Sequence, residues 1–509
     1  MRVPVTTIEA PEWGIRFTRD ARQYPDLTLQ NAPLPDHVRI PLQQHIGSEA
    51  RALVKEGDRV LAGQPIGRMA ANRLGAHVHA SISGQVSRVG LAQAPGRRNG
   101  LAVDIEADGK DERWPGFSPH PRPLSLSTSG LRKAVIEGGI VGLGGATFPA
   151  GIKLNRGSGV DTLILNGAEC EPVIRCDDAL IRHDTNGMLL GAQIMLRILE
   201  ADTCVIALKD DMQAAISSVT AALTELADDR FQLALVPPVY PVGGEAQLIQ
   251  LITGREIPAG GLPWDSGAIC QNVATAAAIA TLLTKGEPLL SRIVTVTGAG
   301  IATPGNFIAR IGTSIETLID AAGGYTQDSA GKLVMGGPMM GVNLDSDRLP
   351  VTKATNCIYV PGRKELAHKA EAVACIRCGD CATACPVNLM PQLLLQSHRT
   401  SDFDRLQQLG LPDCIECGCC DYVCPSRIPL TRQFIDAKQQ LWAIAFEKRR
   451  AKKASARIAA RDTRKQRDSQ ELESTLAQQT QNVKSAADAQ SELEALLKRT
   501  GANDSDDAS

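Results

Sequence analysis

The sequence is poor in aromatic residues and contains no long apolar run. Phe, Tyr and Trp make up 3% of the 509 residues, so a platform of stacked aromatic side chains for nucleic acid is not expected. No apolar stretch approaches the roughly 18–20 residues that cross a bilayer. The first ten residues lack the basic start and apolar core of a signal peptide. We therefore expect a cytoplasmic chain that reaches a membrane only by peripheral docking.

Charge, length and cysteine content narrow the class further. The formal net charge is −2, so no general attraction to nucleic acid or other polyanions is expected. The length predicts roughly three to four domains. Eight of the 14 cysteines fall in two compact sets. Without an export signal, such sets favour metal-bound thiolates over a disulfide framework.

The N-terminal part predicts a small all-β unit behind an irregular, proline-rich lead-in over residues 1–35. Residues 40–103 combine short alternating strands with glycine turns. This region resembles the barrel-sandwich hybrid of biotinyl and lipoyl domains. Those carriers need a modified lysine at a hairpin tip, where residues 70–74 offer only Arg73, so no swinging arm is expected. His77 and His79 share one strand face, and we expect ordinary packing rather than a metal site.

The rest of the chain alternates helical and strand patterns, then becomes cysteine-rich, then polar and helical. Residues 180–199 predict one helix, and the strand–helix–strand order after residue 286 suggests a β-grasp unit. The fold class is a multidomain α/β plus β protein. Its predicted parts are a barrel-sandwich hybrid with lead-in (1–120), an α/β domain (121–285), a β-grasp domain (286–362), a helical two-cluster ferredoxin domain (363–435) and a polar helical or disordered tail (436–509).

Two copies of the ferredoxin pattern C-x2-C-x2-C-x3-C-P carry the strongest chemical signal. They comprise Cys375, Cys378, Cys381 and Cys385 before Pro386, and Cys414, Cys417, Cys420 and Cys424 before Pro425. In two-cluster ferredoxins the fourth cysteine of each run binds the other cluster. We therefore assign one [4Fe–4S] cluster to Cys375, Cys378, Cys381 and Cys424, and the second to Cys385, Cys414, Cys417 and Cys420.

Other cysteines and metals fit this region less well. Cys419 stands beside Cys420 as an alternative ligand, but the spacing favours Cys420. A zinc site needs CxxC pairs without the third cysteine and the proline. The helical insert 388–410 between the two runs indicates a ferredoxin unit fused to a host rather than a free carrier. Cys204 and Cys270 lie in apolar surroundings and are expected in the core.

Four elements of the α/β domain suggest a nucleotide site. Gly142, Gly144 and Gly145 belong to a glycine-rich loop whose N–H groups can approach a phosphate or ring. The loop departs from G-x-G-x-x-G, so the dinucleotide fingerprint is not met. Lys153 follows it closely. The second element is the end of a buried strand, which carries Asn166 and Glu169. The third and fourth are the starts of two helices: one carries Tyr240, Gly243 and Glu245, and the other Gln271, Asn272 and Thr275.

These motifs carry a family resemblance. GLGGATFPAGIK (142–153), NGAECEP (166–172), YPVGGE (240–245) and QNVAT (271–275) resemble, in the same order, the flavin and NADH site of the flavoprotein component of respiratory complex I. The β-grasp segment resembles the soluble-ligand-binding β-grasp domain of that family. With the N-terminal unit and the cysteine runs added, residues 30–435 resemble the C-component family of bacterial Rnf (Rsx) ion-translocating electron-transport complexes.

The resemblance implies a cofactor set and a role for each motif. FMN would be held by Gly142, Gly144, Gly145, Lys153 and Asn166, with Glu169, Tyr240, Gly243, Gln271, Asn272 and Thr275 near the flavin. Glu245 would bond a ribose of NADH, and Phe148 would pack on its adenine. Gly244-Glu245 stands where complex I has two glutamates, and Gln271-Asn272 where it has two asparagines.

The resemblance also implies an oxidoreductase subunit of translocase type on the cytoplasmic face of the bacterial inner membrane. Electrons would pass between NADH and ferredoxin through other membrane subunits that move Na⁺ or H⁺, with no side chain acting as nucleophile or base. Two alternatives remain open: an iron–sulfur wiring adapter without flavin, or a soluble diaphorase subunit. The basic run 448–467 favours a solvated helix, with anionic lipid or an acidic protein face as the alternative.

Overall fold

The computed structural model describes residues 3–17, 28–70, 73–96, 99–155, 159–366 and 371–500. The chain divides into two compact units, 1–434 and 435–509. Part of the hairpin-tip stretch (71–72) and the acidic C-terminal end (503–509) lie outside the described residues.

The lead-in contributes strands to two later sheets. β1 (Val5–Thr7) pairs in parallel with residues 233–235, and β2 (Leu29–Asn31) pairs in parallel with residues 306–308. The prediction of an irregular lead-in is therefore wrong for these two segments. Three residues are too few to show a period of two, and their pairing depends on partners more than 200 positions away.

The barrel-sandwich domain consists of two small antiparallel sheets with the orders β3-β9-β8-β5 and β4-β6-β7. Its strands are β3 (His37–Pro41), β4 (Arg51–Ala52), β5 (Arg59–Val60), β6 (Pro65–Arg68), β7 (Val78–His79), β8 (Gly84–Ala92) and β9 (Gly100–Ala107). Alternate side chains such as Val38, Ile40 and Val103 form its core. His79 is buried against Phe117, with ring centroids 5.6 Å apart, and His77 Nδ1 accepts from the Met69 N–H.

The α/β domain is built on a five-stranded sheet, all of whose strand pairs are parallel. Its elements are α1 (Thr128–Glu137), α2 (Ala150–Lys153), β10 (Thr162–Asn166), α3 (Cys176–His183), α4 (Thr185–Leu199), β11 (Thr203–Lys209), α5 (Gln213–Leu226), β12 (Phe231–Val236), α6 (Glu245–Thr253), β13 (Ala268–Asn272) and α7 (Val273–Lys285). The predicted single helix over 180–199 is wrong, because Asp184 separates α3 from α4. The Asp184 carboxylate caps α4 by accepting from the Gly187 N–H at 3.0 Å.

The β-grasp domain has the sheet order β17-β16-β18-β14-β15-β2. Its own elements are β14 (Ser291–Thr297), β15 (Gly305–Arg310), α8 (Ile315–Ala321), β16 (Leu333–Met335), β17 (Val342–Leu344) and β18 (Cys357–Tyr359). Ile315, Leu318 and Ile319 of the helix share one buried cluster with Val294 and Phe307 of the sheet. This core gives the domain its own hydrophobic stabilisation.

The C-terminal region is helical. Its helices are α9 (Arg363–Leu366), α10 (Asp380–Thr383), α11 (Pro391–Arg399), α12 (Phe403–Gln408), α13 (Cys419–Tyr422) and α14 (Leu430–Thr500). Residues 445–500 of α14 are exposed throughout, including the basic run 448–467. Among the described residues, no helix combines the length and hydropathy that a bilayer crossing requires.

Lys353 joins three domains at a buried junction. Its ammonium donates to the backbone carbonyls of His77, at 2.9 Å, and of Gly139, at 2.7 Å. Burial lowers the pKa of Lys353 to about 7. The neighbouring Arg292 donates to the Lys353 carbonyl and to the Leu143 carbonyl, so the β-grasp segment is tied to the α/β domain by two buried cations.

Candidate functional site

The predicted cofactor residues gather at the carboxyl edge of the parallel sheet. The sheet order is β1-β12-β11-β10-β13, so the chain proceeds from β10 to one side and later returns to its other side as β13. Ligands of open α/β sheets bind where the strand order reverses in this way. Asn166 ends β10 and Asn272 ends β13, directly at this switch point.

The glycine-rich loop is anchored at both ends. The Gly142 N–H donates to the Phe148 carbonyl at 2.8 Å, and the Leu143 N–H donates to Thr275 Oγ1 at 3.0 Å. Between these anchors Gly144 and Gly145 are exposed. Gly145 has a φ of +120° and open space on the side where a Cβ would stand, so the loop presents bare backbone to a ligand.

Lys153 lies behind this loop and contacts Glu245. Lys153 Nζ donates to Glu245 Oε1 at 2.6 Å and to the Cys270 carbonyl at 2.5 Å. The ammonium is largely buried, whereas the Glu245 side chain keeps 38% exposure. Glu245 begins α6, as expected. The two side chains therefore place one cation and one anion at the same edge of the sheet.

Asn166 and Gly243 bring two loops into close contact. Asn166 Nδ2 donates to the Gly243 carbonyl at 2.9 Å, and Asn166 Oδ1 accepts from the Ala168 N–H at 3.0 Å. A Cβ on Gly243 would stand 2.2 Å from the Ala168 carbonyl oxygen. Glycine is thus required here by close backbone approach rather than by a positive φ.

Gln271 and Asn272 complete the cradle from the β13 side. Asn272 caps α7 through its Oδ1, which accepts from the Ala274 N–H at 2.8 Å, and its Nδ2 donates to Asp177 Oδ2 at 2.7 Å. A Cβ on Gly144 would stand 3.3 Å from Asn272, so the cradle is lined closely. Gln271 is 3% exposed, and its Nε2 has no hydrogen-bond partner within the described residues.

This arrangement fits FMN. The unpartnered Gln271 Nε2 supplies a donor, Lys153 supplies a cation, and Gly144 and Gly145 supply open backbone. An isoalloxazine ring and a phosphate both carry acceptor oxygens that such groups satisfy. When bound, FMN supplies the ability to exchange two electrons at once on one side and one electron at a time on the other.

Tyr240 lies between the cradle and the cysteine region. Its hydroxyl donates to the Cys417 carbonyl at 2.7 Å, and its ring packs with Ile15, Ala384 and Cys419 in one buried cluster. Burial raises the pKa of the Tyr240 hydroxyl, which therefore remains a donor. Tyr240 thus links the α/β domain physically to the ferredoxin domain.

A cavity of about 270 Å³ opens beside Tyr240. Its walls include Arg16, Phe17, Glu171 and Lys209. The Glu171 carboxylate accepts from the N–H groups of Met339, at 3.3 Å, and Met340, at 2.6 Å. Burial nevertheless raises the pKa of Glu171 to about 7. The cavity is therefore a partly polar pocket on the same sheet edge as the cradle.

The two cysteine runs fold in the same way. Each run contains one non-glycine residue with a positive φ: Arg377 (60°) in the first and Glu416 (58°) in the second. Two positions later stands a glycine with a positive φ, Gly379 (92°) or Gly418 (79°), and a short helix begins after it. Such left-handed residues turn the backbone sharply enough for three thiols to face one point.

Each run forms a small cavity together with the fourth cysteine of the other run. We call the outer cluster site the cavity lined by Cys375, Cys378, Cys381 and Cys424, and the inner cluster site the cavity lined by Cys385, Cys414, Cys417 and Cys420. Apolar side chains such as Leu395 and Phe434 form much of the remaining walls, together with a few polar ones such as Gln392 and Thr431. Four thiols around one small cavity fit a [4Fe–4S] cube.

The remaining cysteines differ in position. Cys419 is fully buried and also lines the inner cluster site, with its Sγ 3.9 Å from the Tyr240 carbonyl. Cys204 and Cys270 are buried in the core of the α/β domain, as expected. Cys176 is buried beside Glu169 and Asp177.

Comparison with known domains matches four segments of the chain. Residues 12–110 match the RnfC barrel sandwich hybrid domain, 135–281 the Nuo51 FMN-binding domain, 293–343 the SLBB domain and 374–428 a 4Fe-4S dicluster domain. These matches confirm the expected fold class, FMN and the two [4Fe–4S] clusters. The chain is thus an electron-transfer protein that combines a flavin with iron–sulfur clusters.

Relatives along most of the chain identify the family. Proteins named as the C component of an ion-translocating oxidoreductase complex match at 39% identity in Erwinia tasmaniensis (86% of this chain, 54% of that one), 40% in Klebsiella pneumoniae (86% and 58%) and 38% in Vibrio cholerae (91% and 60%). The chain belongs to this family of C components. It spans a little more than half the length of these relatives.

Solved structures show a weaker likeness. An NAD⁺-reducing [NiFe]-hydrogenase in the H2-reduced state matches with a TM-score of 0.44 and 18% identity, covering 64% of this chain and 63% of the other. The air-oxidised state matches with a TM-score of 0.43 and 20% identity, covering 64% of each chain. At these scores the likeness supports no conclusion about function.

Several residues at the site are not among those predicted from the sequence. Glu171 lies two positions after Glu169 in the motif NGAECEP, and this short spacing is the sequence feature that indicates it. Lys209 ends a buried strand, as Asn166 does. Asp177 and Arg292 carry no local signal, because they meet only when α3 packs against β14 of the next domain.

Proposed function

We propose that the chain accepts electrons from NADH at its FMN site and passes them singly through two clusters to a partner protein. The hydrogen bond from the Tyr240 hydroxyl to the Cys417 carbonyl carries this proposal, because it joins the flavin cradle to a cluster loop at 2.7 Å. Electron tunnelling requires such close and fixed placement of neighbouring cofactors.

The cluster ligands follow from the two cavities. Cys375, Cys378, Cys381 and Cys424 hold the outer cluster, and Cys385, Cys414, Cys417 and Cys420 hold the inner one. Cys419 serves as a packed thiol, because its Sγ contacts the Tyr240 carbonyl while Cys420 completes the C-x2-C spacing.

The order of the relay follows from burial. Cys385 and Cys417 of the inner cluster site are buried beside the flavin domain, whereas Cys375 and Cys378 of the outer cluster site are exposed. Electrons from the flavin therefore reach the inner cluster first and leave the protein from the outer one.

The cradle residues divide the work of binding. Lys153 would offset the charge of the FMN phosphate and the N–H groups at Gly144 and Gly145 would donate to it, while Gln271 and Asn166 would orient the ring. Glu245 and Phe148 contact NADH from the exposed side. The cavity beside Tyr240 is too small for a whole dinucleotide and receives only part of it.

The physiological setting is a membrane-bound complex. The relatives are named as parts of an ion-translocating oxidoreductase complex, which supports assembly with other subunits. We propose that these are membrane subunits and that the chain docks on them at the cytoplasmic face of the inner membrane. In that setting the chain exchanges electrons between NADH and, through its partners, ferredoxin, and the ion gradient sets the direction.

Anaerobic reconstitution followed by an NADH titration tests the proposal. We expect about one FMN and about eight irons per chain. NADH should bleach the flavin and then produce EPR signals from both reduced clusters. Iron without flavin, and clusters that NADH leaves oxidised, would instead favour the wiring adapter.

A further inference from the structure

The proposed relay carries the electrons of NADH oxidation but not the proton that the reaction releases. Oxidation of NADH to NAD⁺ releases two electrons and one proton. Each [4Fe–4S] cluster takes one electron and no proton, so two clusters account for both electrons. The proton must reach solvent by groups other than the cluster ligands.

Two neighbouring carboxyl groups, Glu169 and Asp177, lie beside the cofactor cradle. Glu169 Oε1 accepts from Cys176 Sγ at 3.1 Å and from the Asp177 N–H at 3.2 Å. Ligand atoms of these three residues all lie within 4.8 Å of one another. Glu169 Oε2 is buried and has no partner among the described residues. Asp177 is bonded to Asn272, which belongs to the cofactor cradle.

The charges around the pair favour one shared proton. Burial, and then repulsion from Glu169, raises the pKa of Asp177, and burial raises that of Glu169. Three cations face the pair: Arg292 from β14, and Lys209 and Arg175 near Glu169. Two thiols, those of Cys176 and Cys357, also lie near it. Two like charges at this distance cannot both be ionised cheaply, so the pair holds a proton near neutral pH.

A second cavity, of about 240 Å³, reaches Asp177 of this pair from the surface. Cys176, Asp177 and Arg292 form part of its wall, and the exposed residues His183 and Lys285 also line it. Apolar side chains such as Leu180 and Leu290 form much of the remaining wall, and the volume leaves room for several water molecules beside the polar groups. The cavity beside Tyr240 and this one share no lining residue, so they approach the cradle from different directions.

We propose that Glu169 and Asp177 form a proton-holding pair that takes the proton released at the flavin site and delivers it to the second cavity. The inference rests on the proposed function, because it uses NADH as the electron donor. The proton moves from the flavin site to a Glu169 carboxylate oxygen, from there to Asp177, and from Asp177 to water. No electrons move along this path, and no bond to carbon forms or breaks.

Asp177→Asn and Glu169→Gln test the pair in the full chain with FMN and clusters bound. Both changes keep size and shape, and the amide oxygen introduced by Asp177→Asn can still accept from Asn272. Asp161→Asn is the matched control, since Asp161 lies at the opposite end of β10 and pairs with Arg255. Infrared difference spectra against the wild type, in H2O and D2O at neutral pH, should show the loss of one protonated carboxyl band in either variant and no loss in the control. The band of Glu171, whose pKa is also raised to about 7, is common to all four proteins and cancels in these differences.

Single-turnover mixing with NADH gives the second measurement. Flavin and cluster absorbance report the electrons, and an indicator dye in weak buffer reports the proton. We expect both variants to take up electrons while releasing the proton about a hundredfold more slowly. Wild-type release rates in both variants, an unchanged carboxyl band, or a stoichiometric metal other than iron at this site would overturn the proposal. A wild-type flavin that NADH fails to reduce would instead overturn the proposed function, and the infrared result would still decide the pair.

Discussion

Replacing Lys353 with methionine tests how the three domains are held together. Lys353 donates to carbonyls of His77 and Gly139, and among the described residues no carboxylate forms an ion pair with it. Its ammonium is therefore buried without a counter-charge. Burial alone lowers its pKa from 10.5 to about 7.

The sign of the pH effect follows from proton binding. Between pH 7 and pH 10.5 the unfolded chain keeps the lysine proton that the folded protein loses, so the free energy of unfolding rises with pH. Below this window both states are protonated, and above it both are neutral. The slope is at most about 1.4 kcal/mol per pH unit, which sums to about 5 kcal/mol over the window.

Methionine removes this dependence but leaves two buried carbonyls without a donor. That loss costs about 1–3 kcal/mol for each carbonyl. At pH 7 the stability gained by removing the buried charge is about equal to the stability lost with the two hydrogen bonds. We therefore expect Lys353→Met to be nearly as stable as the wild type at this pH. As the pH rises towards 10, the wild-type amine becomes neutral and keeps its hydrogen bonds. The free energy of unfolding of the variant then becomes lower than that of the wild type.

Anaerobic calorimetry at closely spaced pH values measures the difference in melting temperature between the two proteins. For a unit of this size, 1 kcal/mol corresponds to roughly 1 °C, so the difference should widen by about 4 °C between pH 7 and pH 10. Lys133→Met, at an exposed position on α1, is the control and should show no such trend. A difference that stays constant across the window would refute the assignment of a buried, uncompensated lysine.

Four further substitutions test the relay. Gly243→Ala places a Cβ 2.2 Å from the Ala168 carbonyl, so flavin content should fall while iron content is retained. Tyr240→Phe removes the donor to the Cys417 carbonyl, so rapid-freeze EPR should show slower inner-cluster reduction at unchanged flavin content. Cys385→Ala and Cys424→Ala should each leave about four irons. NADH should then reduce the cluster that remains in Cys424→Ala but not the one in Cys385→Ala, and the reverse outcome would contradict the order of the relay.

The cluster runs could be read from sequence because their geometry is local. Three of the four thiols in each set lie within seven consecutive residues, and their spacing sets the loop. The left-handed residues at Arg377 and Glu416 carry no sequence signal of their own, since neither is glycine. The spacing was nevertheless enough to identify the chemistry.

The cradle could be predicted only in part. Asn166, Glu245 and Asn272 stand at strand ends and helix starts, which periodicity and turn residues reveal. Asp177, Glu171 and Arg292 gain their surroundings from other domains: Glu171 from the loop at Met339, and Arg292 from contact with Leu143. Burial across a domain boundary leaves no periodic trace in a single sequence, so these residues appear only in the folded structure.

Polar contacts, most of them buried, cross each of these domain boundaries. Tyr240 bonds the ferredoxin domain, Glu171 bonds the β-grasp loop, and Lys353 bonds the barrel-sandwich and α/β domains. A domain that moved away would leave a buried donor or acceptor unpaired, at about 1–3 kcal/mol for each group. Apolar packing alone tolerates sliding, whereas directional bonds fix both distance and orientation. Because electron transfer weakens steeply with separation, we infer that these contacts hold the flavin and the inner cluster at one distance while electrons pass.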